Sequence, residues 1–459
     1  MFQSSVRSIA ESVRQNASTS SNILRQRLQR IQETEPQQHA FTQVMLSEDT
    51  ISSETRRLSE HDNLALAGVP VAVKDNFCVQ GWPTTASSQM LRSFVPSYTA
   101  TVVRRLQNQG AVIVGKTNMD EFGMGNTTST SSVFPATVWN EKSPGGSSGG
   151  SAVAVANGSC VVAVGSDTGG SVRQPAAICG VVGFKPSYGA FSRYGLIAYA
   201  SSLDCPGLFG RTVDDVSLVS DYLFGVDPMD STTLDVVDSA NVDADSCDLK
   251  GLRVGIPQQF LISELSVNVR AIWERTAKRL EEHGAQLVDI QLPSVPMSLH
   301  AYYVIATAEA SSNLSRYSGI FFGHHDHDLV RTRTTGFGSE VRRRILSGTY
   351  VLSKDAYTKY FEPALKMRQV ISSDFDNALL HCDFLLCPVI PKLSMPSTYE
   401  NATEGYAEDV FTVPASLSGN PAISVPVFAD KVGMQLVGRK LHDRRLLRHA
   451  ASVERLCAK

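Results

Sequence analysis

Strand-like and helical segments alternate from Leu64 onward, which predicts an α/β fold: a mixed sheet covered by helices on both faces. Two further observations support that class. Hydrophobic residues make up 42% of the 459 and charged residues 19%, enough apolar material for a large buried core. A Gly/Ser-rich stretch, Ser143–Pro186, is flanked by the apolar runs AVAVA and VVAVG, which belong in a core and not in a flexible linker. Length alone allows two or three domains, or one large one.

The N-terminus has two readings. Met1–Arg30 holds five Arg, one acidic residue and many Ser, the composition of a mitochondrial targeting segment. Ile23, Leu28 and Ile31 are roughly amphipathic, with Ser21-Asn22 as a possible cap, which fits a surface helix. Residues 1–63 are therefore expected to be a targeting and docking segment, with targeting before about Ser20 and the helix after it. Residues 64–459 are expected to form one catalytic domain, its core at about 64–225.

Within that domain Val69–Val73 is a strand ending at Lys74-Asp75-Asn76. Thr99–Gln109 reads as a helix stopped by Gly110, and Ala111–Val114 as a buried strand. Gly110–Thr117 satisfies the letter of a Walker A motif. A phosphate cradle needs a loop there, however, and Ala-Val-Ile-Val is an apolar run that favours a strand. In the Gly/Ser stretch a small-residue run with helical content precedes the strand Cys160–Val164. Asp230–Leu249 is acidic and rich in turn formers, an exposed excursion or linker. Leu252–Ile256 resumes as a strand, Val267–Glu282 as an amphipathic helix and Gln286–Leu292 as a strand. Ala301–Tyr317 is helical, and Gly336–Ser347 is expected to be a basic turn leading into the helical pattern Asp355–Leu380. Phe384–Val389, Ala422–Val427 and Met434–Val437 are strands, and Asp443–Leu456 is a closing helix.

Several function classes are disfavoured. A net charge of −3 leaves no basic footprint for nucleic acid, beyond a local patch such as Arg342-Arg343-Arg344. No run of 18 apolar residues suggests a membrane span. Eight cysteines without a CxxC pair read as reduced, mostly buried thiols in a reducing compartment.

The chemistry points to two clusters, Gly145–Ser151 and Asp167–Ser171. Glycine lets backbone N–H groups approach a ligand closely, and a hydroxyl beside such a turn is a candidate nucleophile with those amides as its oxyanion site. No histidine lies between His61 and His283, so a nearby histidine base is missing from the sequence. Lys74 is the alternative: it follows VPVAV, and burial depresses a lysine pKa until the neutral amine accepts a proton. Its bland reading is an ion pair with Asp75. Ser148 and Ser151 rival Ser171, which sits directly after the amide donors and before an apolar helix-like run. Asp167 and Arg173 are expected to brace the loop. His324-His325-Asp326-His327 has metal-like composition but reads as a solvated loop.

Gly145–Ala152 with Gly165–Ala176 resembles the signature of the amidase-signature family of serine hydrolases, and the similarity runs from about Leu64 to the C-terminus. The resemblance implies a single large amidase-signature domain and a Ser-Ser-Lys triad. Ser171 would be the nucleophile, Ser147 a bridging serine whose peptide is cis in the family, and Lys74 the base. The N–H groups of Thr168, Gly169 and Gly170 would face the oxyanion. The segments Gly115–Gly125, Arg193–Leu196, Ala308–Tyr317, Gly336–Gly338 and Val341–Ile345 resemble the branch that releases ammonia from glutamine for a tRNA-dependent amidotransferase. By that resemblance Arg344 binds the α-carboxylate, Asp409 the α-ammonium, and Tyr302, Met124 and Gly125 lie along the same pocket. Register within Arg342–Arg344 and Tyr302-Tyr303 stays open by one residue, and the arginines have the alternative of a solvated turn.

The resemblance further implies no cofactor in this chain, with ATP and Mg at a partner. That partner would be a GatB-type subunit, joined by a small GatC- or GatF-type subunit, with Glu-tRNA(Gln) contacted mainly through the partner. The expected compartment is the mitochondrial matrix, otherwise the cytoplasm. A free-standing amidase on other small amides is the alternative, and a catalytically silent scaffold is a second. The sequence departs from the family between Tyr317 and Gly336, which looks shortened, and at Asn126-Thr127-Thr128, where Ser-Ser-Thr-Glu is more usual. Its N-terminal helical segment is also divergent.

Overall fold

The structure, a computed structural model, describes residues 4–61, 63–236, 249–393, 396, 402–428 and 432–458. Eleven strands occur among them: β1 (Phe41–Val44), β2 (Pro70–Lys74), β3 (Val112–Thr117), β4 (Val162–Asp167), β5 (Val182–Lys185), β6 (Cys205–Gly210), β7 (Arg253–Pro257), β8 (Gln286–Ile290), β9 (Phe384–Pro388), β10 (Ala422–Val427) and β11 (Val432–Val437). They form one mixed sheet in the order β1-β3-β2-β4-β6-β5-β10-β11-β9-β7-β8. Helices cover it, so the α/β expectation holds.

The centre of the first half decides where chemistry can occur. β2 is Pro-Val-Ala-Val-Lys, buried at every position, as β-branched residues in a strand covered on both faces should be. It runs parallel to both neighbours, Val73 pairing with Lys116 of β3 and with Val164 of β4. The carboxyl ends of these strands therefore emerge on one edge, where open α/β sheets form their ligand crevices. Lys74 closes β2 on that edge, and Asp167 closes β4 just before the second Gly/Ser cluster.

The second half repeats the logic with different strands. β7 runs parallel to β8 and β9, β10 and β11 form an antiparallel pair, and β10 joins the first half through β5. The helix Val267–Glu282 has the expected bounds; Ser266 caps it and Val269, Trp273, Thr276, Ala277 and Leu280 face the core. Helix Ser298–Asn313 packs on helix Ser339–Val351. There Gly348 lies so close to the Thr307 carbonyl that a Cβ would collide with it.

Three expectations need correction. The basic turn Gly336–Ser347 is mostly helix, beginning at Ser339. Around a helix three consecutive arginines diverge by about 100° each, so Arg344 turns inward and is buried while Arg342 and Arg343 stay exposed. That removes the solvated-turn alternative for Arg344. At the N-terminus a packed helix exists before Ser20 as well as after it. Val6–Gln15 buries Val6, Ile9, Ala10 and Val13, is capped by Ser5, and is fastened by Val6 N–H to Asp215 Oδ1 at 2.7 Å. The next helix is Thr19–Gln38, flanked by Ser18, so Ser21 and Asn22 lie inside it and do not cap it. Its buried Arg27 donates to the Gly158 carbonyl at 2.8 Å. Of the acidic excursion Asp230–Leu249, residues 237–248 lie outside the described ones. No helix among the described residues is long and apolar enough to cross a membrane.

Candidate active site

The Walker-like string is strand β3, and its Lys116 is fully buried against Asp75, Nζ to Oδ1 2.9 Å. This pairing also answers the bland reading of Lys74. Asp75 is committed to Lys116, and Lys74 is left with uncharged oxygens: three serine hydroxyls and, at 3.4 Å, the Ser166 carbonyl. Its Nζ lies 2.8 Å from Ser147 Oγ, 2.7 Å from Ser148 Oγ and 2.9 Å from Ser166 Oγ. Burial pulls the Lys74 pKa down to about 7, although the nearby carboxylates of Asp120, Asp167 and Asp204 favour its charge. A base poised near neutrality results.

The three hydroxyls are not equivalent. Ser148 donates its own proton to the Ser166 carbonyl at 3.1 Å, and Ser166 Oγ also receives a bond from Asn76 Nδ2 at 3.0 Å. Ser147 has neither contact: beyond Lys74 its hydroxyl has no hydrogen-bond partner among the described residues, which leaves its proton free for a neutral Lys74. The Gly146–Ser147 peptide is cis, as the resemblance implies. Glycine is required at 146 because a Cβ there would strike Asp120 Oδ2 and the Thr127 nitrogen. Asp120 in turn accepts N–H bonds from Thr127, Thr128, Ser129 and Thr130 at 2.9 to 3.2 Å, folding that loop around the serine.

Ser171 lines a cleft of about 400 Å³ together with Gly169 and Gly170. Among the described residues its hydroxyl has no hydrogen-bond partner, and neither do the N–H groups of Gly169, Gly170 and Ser171. The geometry thus holds free amide donors beside a free hydroxyl, the arrangement an oxyanion hole needs. Gly170 has φ +153, and a Cβ on it would run into the Thr412 side chain; on Gly169 it would lie 2.6 Å from the Tyr302 hydroxyl. Thr168 is buried, its hydroxyl donating to Asp204 Oδ1 at 2.7 Å. The loop is braced as expected: Arg173 forks Asp167, at 2.8 and 3.0 Å, and reaches the Thr412 carbonyl and Gln435. Burial alone would raise the Asp167 pKa, but the Arg173 guanidinium outweighs it and holds the carboxyl below its usual range. The other two candidates sit differently: Ser151 shares a buried bond with Thr117 at 2.6 Å, and Ser148 accepts from Lys74 at 2.7 Å.

The expected pocket residues are mostly in the same cleft. Gly125, Tyr302, Arg344 and Asp409 line it; Met124 is fully buried next to Gly125. Tyr303 and not Tyr302 bonds Asp409, hydroxyl to Oδ2 at 2.5 Å, while Gln174 donates to Oδ1 at 2.7 Å. Arg344 is held by Glu340, Nε to Oε1 2.7 Å, and by the Tyr199 hydroxyl at 2.6 Å, with Tyr199, Tyr303 and Tyr406 rings around its guanidinium. Sequence reasoning alone does not single out Glu340, Tyr406 or Gln174 for these roles, and Tyr303 falls within the one-residue register left open at Tyr302-Tyr303. One signal exists for Glu340: on a helix it lies four residues before Arg344, on the same face. His324–His327 forms no metal-capable group among the described residues; its His324 bonds Thr335 at 3.1 Å.

Comparison with known proteins adds four findings. A family model described as "Amidase" matches residues 22–447. The A-subunit of the glutamyl-tRNA(Gln) amidotransferase of Carboxydothermus hydrogenoformans is 42% identical, with 99% of this chain and 97% of that one covered. Its counterpart in Prochlorococcus marinus is 44% identical over 95% and 93% of the two chains. The crystal structure of the corresponding protein from Thermotoga maritima superposes with a TM-score of 0.82 at 36% identity, covering 99% of this chain and 95% of that one.

Proposed function

The chain belongs to the amidase family, and from that premise we propose that it is the glutaminase subunit of a glutamyl-tRNA(Gln) amidotransferase. The observation that carries the chemistry is the buried amine of Lys74, 2.8 Å from Ser147 Oγ, with the next residue's N–H bonded to the carbonyl of the cleft residue Ser171 at 3.2 Å. In the proposed cycle neutral Lys74 takes the Ser147 proton while Ser147 takes that of Ser171. The Ser171 oxygen bonds to the carboxamide carbon, and the carbonyl electron pair moves onto oxygen, facing the N–H groups of Gly169, Gly170 and Ser171, with Thr168 behind them. One such donor is typically worth about 3 kcal/mol of barrier. Collapse breaks the C–N bond, the relayed proton completes ammonia, and water then hydrolyses the Ser171 ester by the same relay to give glutamate.

Glutamine as substrate is supported by the names of the relatives and by the cleft, where Arg344 suits an α-carboxylate and Asp409 an α-ammonium. Ammonia released here needs an acceptor, so a GatB-type partner and a small GatC- or GatF-type subunit belong to the proposal. ATP and Mg at the partner belong to the same proposal, and the paired lysine in this chain's Walker-like strand is consistent with it. The composition of Met1–Arg30 supports import into mitochondria as part of the same reading.

The test is co-purification with a tagged chain, followed by glutaminase assays with and without the captured subunits. The chain alone should hydrolyse glutamine poorly, and the subunits with Glu-tRNA(Gln) and ATP should raise the rate. Robust hydrolysis of simple aliphatic or aromatic amides by the chain alone, with glutamine ignored, would replace this reading with a free-standing amidase.

A further inference from the structure

The charged side chains lining the cleft are Arg343, Arg344, Glu340 and Asp409, two of each sign. Glu340 is the centre of this set. Its Oε1 accepts from Arg344 Nε at 2.7 Å and from the Tyr406 hydroxyl at 3.1 Å, and its Oε2 accepts from Arg343. Its side chain is 14% exposed and that of Arg344 is 7% exposed, so water screens their interaction poorly. Arg344 has further spent one Nη1 hydrogen on Tyr199. Its remaining N–H groups are offered from a guanidinium whose charge is already partly cancelled.

We propose that Glu340 is a specificity-determining residue, whose carboxylate brings the cleft to charge balance and thereby selects a zwitterionic amide over an anionic one. The inference rests on the reading of this cleft as a glutamine site. With Glu340 in place an α-carboxylate gains one effective cation and an α-ammonium meets Asp409, so a substrate carrying both charges fits. An amide with the carboxylate but no ammonium leaves Asp409 unanswered and adds an anion beside Glu340. Without the Glu340 charge the cleft would carry a net positive charge and favour that anionic substrate. Glu340 acts through Arg344 and Arg343 and is a positioning residue as well as a counter-charge.

Three amides of one shape and different charge test this: glutaric acid monoamide (anionic), glutamine (zwitterionic) and glutamine α-amide (cationic). Steady-state ammonia release is followed with the full chain and its co-purifying subunits. Wild type should prefer glutamine. Glu340→Gln removes the charge and keeps one acceptor oxygen for Arg344 and Tyr406, while its amide nitrogen replaces the oxygen that accepts from the exposed Arg343. It should lower KM for the monoamide relative to glutamine by roughly tenfold, raise KM for the α-amide, and leave kcat nearly unchanged. Glu340→Asp keeps the charge and should keep the wild-type order. KM values that rise together for all three substrates, or ratios that do not move, overturn the proposal. A wild-type enzyme that ignores glutamine and turns over unrelated amides overturns the glutaminase reading instead, before any variant is made.

Discussion

At Lys74 two demands meet that usually exclude each other: full burial and a titratable amine. The β2 strand supplies the first, and three serine oxygens supply partners that are polar without being charged. Because the neutral amine is the reactive form and burial brings its pKa to about 7, kcat/KM should rise as pH climbs through that value and level off above it. A profile flat from pH 6 to 9 would remove Lys74 as the base. Lys74→Arg should be inactive, since a guanidinium keeps the charge but gives up no proton at working pH; measurable turnover would mean that charge alone suffices. Ser171→Ala should lose essentially all hydrolysis with its Tm intact, whereas Ser148→Ala should lose part of it, because Ser148 only helps to seat Lys74. A dead Ser148→Ala beside an active Ser171→Ala would reassign the nucleophile. These serines are legible in the sequence because each stands in a short Gly-rich pattern with its own chemistry. Glu340 is not, since one acid before three arginines looks like any surface charge run until the helix is known.

At the scale of elements, long periodic segments such as Val267–Glu282 can be read within a residue, but β1, β5 and β6 leave no such signature. Their four to six residues carry too little pattern, and what makes them strands is pairing with β3, β4 and β10, far away in sequence. The helix pair Ser298–Asn313 and Ser339–Val351 shapes the cleft, because one helix brings Tyr302 and Tyr303 and the other brings Glu340 and Arg344. Gly348 sets their spacing against the Thr307 carbonyl. Gly348→Ala should therefore push the helices apart, at a cost of about 1–3 kcal/mol, and raise KM for glutamine several-fold while kcat changes less. Thermal melting with steady-state kinetics checks both; an unchanged KM would show that the spacing is not what holds the pocket.

For the whole molecule, the N-terminal helix is both a candidate address and part of the body. Val6, Ile9 and Val13 are buried against it, so removing residues 1–15 should cost about 5 kcal/mol of apolar burial and sharply reduce soluble yield. A fluorescent protein fused behind Met1–Arg30 should enter mitochondria; diffuse cytosolic signal would dismiss the import proposal while leaving the packing role untouched.

The junction of the two sheet halves has a consequence in time. During synthesis β5 leaves the ribosome roughly 240 residues before β10, a wait of about 10–50 s at 5–20 residues per second. Over that interval the half-built sheet presents β5 as a bare edge, and bare edges recruit any strand they meet. A chain that stopped near residue 236 should then self-associate, detectable as oligomers in sedimentation, where the full-length chain would have closed the edge with its own last strands. The last strands would then cover the edge that the first half leaves open.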